Sequence, residues 1–251
     1  MISAVFNEIF FRPLFNVLVF LTGILPWHDL GLAVILLTVG ARFLIFPLTH
    51  RAAKTQNQMK ILEPELKKIK NEIKDREEQA RLTMELYKKH GINPFLSVFF
   101  TFLQLPILIA LYLVFRENLI SNAGHLYSFI SFPAAIHTNF LGLIELSQPS
   151  VFLAVLAGIS QFFQMKLAQP PKNPAEKKET PDFARLLGLQ MTYFMPVFLI
   201  IIALRFPAAV SLYWTTVSLF ATVHEGIVRK KAKKIYDRGN QANFGNNSSL
   251  V

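Results

Sequence analysis

The chain contains no cysteine. That excludes disulfides, thiol nucleophiles and Cys-ligated metal sites, together with a bacterial lipoprotein anchor, and fixes no compartment. Charge is scarce as well: Asp, Glu, Lys and Arg make up 17% of the 251 residues, while 52% are hydrophobic. Soluble domains carry roughly 25% charged residues and do not gather their apolar residues into runs near 20. Acidic residues are missing altogether from the apolar runs Leu30–Leu48, Phe95–Phe115, Val151–Met165 and Leu186–Leu204, and between Phe206 and His224. Enzyme signatures are missing too. None of the six histidines has HExxH spacing, and there is no GxSxG, Walker or Rossmann glycine pattern. No catalytic residue, metal or cofactor is therefore expected. The opening residues, MISAVFNEIF, have no basic n-region and are neither Arg-rich nor Ser-rich. Neither a cleavable signal peptide nor a transit peptide is expected, and direct insertion into a prokaryotic plasma membrane is the simplest reading.

What is present is a polytopic, all-α membrane pattern. Its centre is the run Leu30–Thr49 (LGLAVILLTVGARFLIFPLT), long enough to cross a bilayer and holding a single arginine, Arg42. At 1.5 Å per residue Arg42 lies roughly 10 Å from the polar end at Thr49. A bare guanidinium at that depth costs several kcal/mol unless it snorkels, meets water or finds a counter-ion. The apolar runs supply no carboxylate, so the arginine is expected to face a wet recess, with its acidic partner on another molecule.

Taken in order, residues 1–26 are apolar but broken by Glu8, Arg12 and Pro13. Their uninterrupted part, Leu14–Leu25, reads as a helix lying in the interface, with a crossing over 4–25 as the alternative. Pro26-Trp27 marks the entry to the first span (27–49), and Pro47 is expected to kink it. Residues 50–92 read as a water-facing helical hairpin. Leu62, Leu66, Ile69 and Ile73 share one face of its first helix. Asp75 and Glu78 form a capping box for the second, which carries Leu82 and Leu86 and stops at Gly91. The second span covers 93–116, starting at Asn93-Pro94. Residues 117–149 follow outside the membrane. Their uncharged stretch Leu126–Ile144 is rejected as a crossing because Pro133, His137, Thr138 and Asn139 interrupt it. The third span covers 150–167, a lysine- and proline-rich loop 168–185, the fourth span 186–204 and the fifth 206–225. A basic tail, 226–251, is expected to be disordered towards its end. The segment His50–Gly91 holds eleven Lys and Arg by count on the sequence. The lysine loop and the tail hold most of the others, so all three are expected in the cytoplasm and the N-terminus outside.

Polar residues recur on the spans. Ser211, Thr215, Ser218 and Thr222 follow i, i+4, i+7, i+11 spacing. Taken alone, such a stripe is better explained by close helix packing than by a polar lining. Thr101 and Gln104 sit on the second span, and Ser160, Gln161 and Gln164 on the third. Together these residues suggest several spans turning hydrophilic sides to one recess. Tyr213 and Trp214 read as packing or interior lining, and His50 and His224 as interfacial residues near span ends. The basic tail suits anionic lipid, with RNA phosphates as a second candidate.

At these residues the chain resembles the YidC family of membrane protein insertases, which has mitochondrial and chloroplast relatives. The likeness rests on ARFLIFPLT at 41–49, MKILEPELKKIK at 59–70, NPFLSVFFTFLQLPILIALY at 93–112 and FPAAVSLYW at 206–214. It covers about residues 7–235 and is similar to the short, five-span form, read as one insertase domain over 1–251. The resemblance implies five transmembrane helices around a groove open to the cytoplasm and closed outside. It gives Arg42 the role of groove arginine, Tyr213 and Trp214 substrate contacts, Gln104 the polar position of the second span, and the hairpin a part in receiving substrates. The implied activity is insertion and chaperoning of nascent membrane proteins, with no small-molecule substrate. Candidate partners are the lipid bilayer, a ribosome through the basic tail and a Sec translocon. A channel or secondary transporter is the alternative, disfavoured because no intramembrane carboxylate is available for ion coupling and no inverted repeat is evident. Phe100, Ser218 and His224-Glu225 depart from the family's usual proline, asparagine and glutamines.

Overall fold

In the computed structural model, which describes residues 2–47, 49–50, 55, 59, 62–93, 95–116, 119–168 and 183–247, the apolar runs fold as helices. Pro94 and most of the loop expected at 168–185 lie outside the described residues. A short helix α1 (Ile2–Phe6), a π turn (Asn7–Phe11) and α2 (Arg12–Ile24) form one rod. Glu8, Arg12 and Pro13, which interrupt the apolar run, do not interrupt the helix. The wide turn just ahead of Pro13 relieves the clash and missing donor that a proline brings to a helix. Glu8 meanwhile pairs with Arg12 at 3.0 Å one turn away.

The next helix, α3 (Leu30–Leu44), starts at a capped corner. Asp29 is buried, and its Oδ1 accepts from the N–H groups of Gly31 at 2.7 Å and Leu32 at 3.0 Å. Two helix-end donors that water would otherwise have to satisfy are thereby paired. The other oxygen, Oδ2, accepts from Leu141 N–H at 2.7 Å, a residue 112 positions away. Asp29→Ala should leave three N–H groups without their acceptor, at about 1–3 kcal/mol. Hydrogen exchange should then rise at Gly31, Leu32 and Leu141; unchanged protection at Leu141 would show that the tie carries no weight. Regular hydrogen bonding in α3 stops at Ile45 and resumes with Thr49 N–H on Ile45 C=O, the break expected just before Pro47.

The hairpin consists of α4 (Glu63–Glu72) and α5 (Arg76–Lys89). Asp75 caps α5 by accepting from Glu77 N–H at 3.3 Å. Only this half of the expected capping box forms, because Glu78 turns instead to Arg81 at 2.7 and 2.9 Å. Gln79 closes the join by donating to the carbonyls of Lys70 and Ile73 at the end of α4. At the far end Gly91 has φ +64°, Gly91 N–H bonds Lys88 C=O, and Ile92 N–H bonds Tyr87 C=O. That pair of bonds is the Schellman stop for which a glycine is favoured.

Four further helices complete the bundle: α6 (Phe95–Arg116), α7 (Val151–Ala168), α8 (Phe183–Ala203) and α9 (Ala208–Asn247). Between α6 and α7 lies a lid without a crossing helix. It comprises a 3-10 segment (Leu119–His125) and a two-stranded hairpin, β1 (Asn139–Phe140) with β2 (Ile144–Glu145), in the register 139 to 145 and 140 to 144. This agrees with the rejection of Leu126–Ile144 as a span. The lid caps α9: Ala208 N–H bonds Gln148 C=O and Ala209 N–H bonds Leu146 C=O. Burial on its own would raise the carboxyl pKa of Glu145 in β2. Hydrogen bonds from the Ser147 side chain and backbone, Thr138 and Leu146 outweigh it and hold the group below the usual carboxylate range. Those bonds favour the folded lid at neutral pH, and their contribution is lost as pH falls through the lowered folded-state value.

Helix α9 packs mainly on α7 and then on α3, and α7 also packs on α8. Small residues, among them Ala154, Ala157, Ala208 and Ala209, are fully buried where backbones come close. The core gathers towards the lid end, around Phe15, Leu18, Leu30, Val34, Leu111, Val114 and Leu212. Beyond the core α9 stays helical to Asn247, where disorder was expected. The Lys, Arg and Ala of residues 229–238 are strong helix formers, whereas the Gly- and Asn-rich residues 239–247 are not.

Candidate functional site

Arg42 sits at the last turn of α3, one turn beyond Thr38, whose hydroxyl back-bonds to Val34 C=O at 2.6 Å. The guanidinium turns inward across the bundle. Its Nη2 donates to Oε1 of Gln104 on α6 at 2.7 Å. Among the described residues it pairs with no carboxylate. Tyr213 on α9 is buried. The adjacent Trp214 donates Nε1–H to Oε1 of Gln161 on α7 at 2.5 Å. Two polar pairs thus join helices, Arg42 with Gln104 across α3 and α6 and Trp214 with Gln161 across α9 and α7. Gln164, three residues past Gln161, is half-buried one turn towards the hairpin end.

The hydroxyl stripe behaves differently. Ser211, Thr215 and Ser218 are buried within the packed helices, at 1%, 3% and 0% exposure. Thr215 and Thr222 donate to the carbonyls of Ser211 and Ser218 on their own helix. This corrects the expectation that Ser211, Thr215 and Ser218 line an open recess. Small hydroxyl residues are what close contact of α9 with its neighbours needs, and back-bonding satisfies the threonines without water. The hydroxyl oxygens of Ser211 and Ser218 have no hydrogen-bond partner among the described residues.

Ser211 and Trp214 also border an apolar cavity of about 260 Å³ between α6 and α8, with Ile109, Tyr112, Leu199 and Ile202 on its walls. Trp214 therefore both hydrogen-bonds Gln161 on α7 and borders the apolar chamber.

Two features escaped the sequence. His50 Nδ1 and His224 Nε2 are 3.3 Å apart, with the Phe46 ring against both, so the segment just past α3 is tied to α9 at His224. Read singly, each histidine looks interfacial; only the shared end of the two spans pointed to a meeting. Asp29 was the other, hidden because its third donor comes from the distant lid. In the hairpin, Leu66, Ile69, Ile73, Leu82 and Leu86 are half-buried and Leu62 is buried.

With this geometry in view, the relatives are informative. A family model described as 60Kd inner membrane protein matches residues 20–235. Membrane protein insertase MisCA of Bacillus subtilis (strain 168) is 32% identical over 211 residues, covering 82% of this chain and 72% of that protein. Membrane protein insertase YidC 2 of Bacillus anthracis is 30% identical over 233 residues, covering 90% and 82%. YidC of Fusobacterium nucleatum subsp. nucleatum is 32% identical, covering 81% and 87%. In fold, the chain is similar to the crystal structure of an active YidC insertase with its first transmembrane domain resolved, at a TM-score of 0.53 and 21% identity. That match covers 88% of this chain and 45% of the solved one. A mostly helical bundle with the sequence of these relatives places the chain in the 60Kd inner membrane protein family, the family of the YidC membrane protein insertases.

Proposed function

We propose that this chain is a membrane protein insertase and chaperone that receives nascent membrane proteins from the cytoplasm and releases them into the bilayer. The observation that carries the reading is Arg42, held inside the bundle by Gln104 and neutralised by no carboxylate of the described chain. A fixed cation of this kind attracts an incoming carboxylate, and the attraction is strong where water is scarce. The apolar cavity beside Trp214 offers adjoining contact for the hydrophobic part of the same substrate. No bond is made or broken, so the role is not enzymatic and calls on no cofactor.

In this reading α3, α6, α7, α8 and the first part of α9 are the five crossings, and the lid lies outside. The hairpin, the lysine loop and the basic end of α9 lie in the cytoplasm, following the distribution of Lys and Arg. The N-terminal rod lies across the outer interface rather than spanning. Its stretch Ala4–Ile24 is long and apolar enough to cross. Yet the middle of the rod and its C-terminal end both meet the lid end of the bundle. Arg12 and Asn16 hydrogen-bond His125 C=O, and Ile24 is separated from α3 only by the corner at 25–29. A crossing helix would carry one end to the opposite side.

A substrate docks on the hairpin, its acidic external segment moves to Arg42, and its apolar segment partitions sideways into lipid. Burial of that segment, at about 25 cal/mol per Å², drives the step without a nucleotide. The membrane potential adds about 2.3 kcal/mol per charge per 100 mV, favouring outward movement of acidic segments. The basic end of α9 is a candidate ribosome contact, and a Sec translocon is a candidate partner. Purified protein alone in lipid vesicles should insert a single-span substrate with an acidic external tail to a protease-protected state. Steady ion flux without insertion would favour a channel and overturn the proposal.

A further inference from the structure

The corner where α3 begins exposes three large apolar residues: Trp27 at 75%, Leu141 at 55% and Leu143 at 83%. Asp29 draws them together, because its carboxylate holds Leu141 N–H while the backbones of His28 and Leu30 bond that of His137. Trp27 and Leu141 adopt φ of +64° and +52°, in the left-handed region that side chains with a Cβ disfavour. Their outward aim is thus imposed by the corner and not left to a slack loop. The two stretches that form this surface carry no Lys or Arg. Asp29 is the sole Asp, Glu, Lys or Arg between Pro13 and Ala41, and Glu145 the sole one between Asn118 and Met165. Both carboxylates are occupied by donors of the corner and lid.

The patch also continues another apolar surface. Val5, Ile9, Val17, Phe20 and Ile24 are exposed along one side of the N-terminal rod, while Phe11, Phe15, Leu18 and Val19 of the same rod are buried. Trp27 lies three residues before Leu30, where the apolar run starts, and tryptophan is enriched at the headgroup level.

We propose that Trp27, Leu141 and Leu143 form a lipid-seated wedge at the boundary between headgroups and acyl chains of the outer leaflet. The wedge rests on the membrane orientation given under Proposed function and adds a second line of lipid contact to that of the N-terminal rod. Two lines of contact fix the lid against tilting, and with it the depth of Arg42 on the helix that the corner starts.

The absence of cysteine permits a direct test in the full chain. Leu143→Cys and Trp27→Cys are each labelled with an NBD fluorophore and reconstituted into phosphatidylethanolamine and phosphatidylglycerol vesicles. Glu77→Cys, on the exposed side of the hairpin, serves as the water-facing reference. Leu143, unlike Leu141 and Trp27, does not hold a left-handed backbone, so its substitution leaves the corner's conformation alone. A spin label near the headgroup end of the acyl chain should quench the probes at 143 and 27 at least about twofold more than the probe at 77. Aqueous iodide should show the reverse order. Iodide quenching at 143 equal to that at 77 would overturn the wedge. So would probes protected from both quenchers in proportion to protein density, which would mean a second copy covers the patch. Insertion of a single-span substrate is scored in the same vesicles. Active vesicles with a water-exposed probe at 143 sink the wedge alone, whereas inactive vesicles with a lipid-quenched probe support it and sink the insertase reading.

Discussion

Arg42→Ala is expected to lower the insertion of single-span substrates with acidic external tails by about tenfold, while Arg42→Lys retains most of it. The size follows from the interaction removed: a hydrogen bond to a charged group is worth about 1.5–3 kcal/mol, and 1.4 kcal/mol is tenfold in an equilibrium. Lysine keeps a positive charge and a donor at the same helix position, though without the guanidinium's second arm. Substrates whose external tails lack acidic residues should lose little, because the cation attracts nothing in them. Gln104→Leu separates position from charge. It keeps the positive charge but removes the acceptor 2.7 Å away, so Arg42 loses its inward tether. Insertion should fall by less than for Arg42→Ala, and the fall should again be confined to acidic tails. Purified protein in vesicles, with protease protection as readout and thermal unfolding as a check on folding, measures both. Equal insertion of acidic-tailed substrates by Arg42→Ala and the unaltered chain would remove the cation from the mechanism.

The helices were legible because their signals are local. Apolar runs, Gly91 after α5 and Asp75 before it announce starts and stops within a few residues of themselves. Arg42 was legible by contrast, since a lone cation in an acid-free span stands out against its neighbours. Its meeting with Gln104 was legible only as a shared polar tendency of two spans. What stayed hidden depends on separations of more than a hundred residues. The Asp29 to Leu141 tie and the His50 to His224 pair have no sequence pattern, because nothing local fixes which span ends come together. The hydroxyl stripe was ambiguous for a different reason: the same i, i+4, i+7 spacing serves a wet lining and a dry contact, and only burial tells them apart. At the N-terminal rod the apolar run and the helix differ in extent. Pro13 and the Glu8–Arg12 charges interrupt the run, but a π turn and an ion pair absorb both.

The same reasoning from close contact gives a second large effect, at Gly158→Leu. A Cβ on Gly158 of α7 would lie 2.4 Å from Cγ1 and 2.6 Å from Cδ1 of Ile200 on α8, and 3.0 Å from the carbonyl oxygen of Pro196. The isoleucine side chain can move aside, but the Pro196 carbonyl belongs to the backbone of α8 and moves only with the helix. In a bilayer, lipid contacts replace helix contacts at little hydrophobic cost, so van der Waals fit at small residues is what holds two spans together. Gly158→Ala should therefore cost about 1–3 kcal/mol, the usual penalty of overpacking. Gly158→Leu should cost more and push α8 outward. Leu199 and Ile202 flank Ile200 in sequence and border the apolar cavity, so displacement of α8 should reshape the chamber beside Trp214. Insertion of strongly apolar spans should then suffer whatever the charge of the external tail, a signature opposite to that of Arg42→Ala. Combining Gly158→Ala with Ile200→Ala makes room for the new methyl group, and the double variant should recover much of the lost thermal stability. If Gly158→Leu unfolds at the temperature of the unaltered chain, α7 and α8 do not pack this closely and the chamber between α6 and α8 has a different shape.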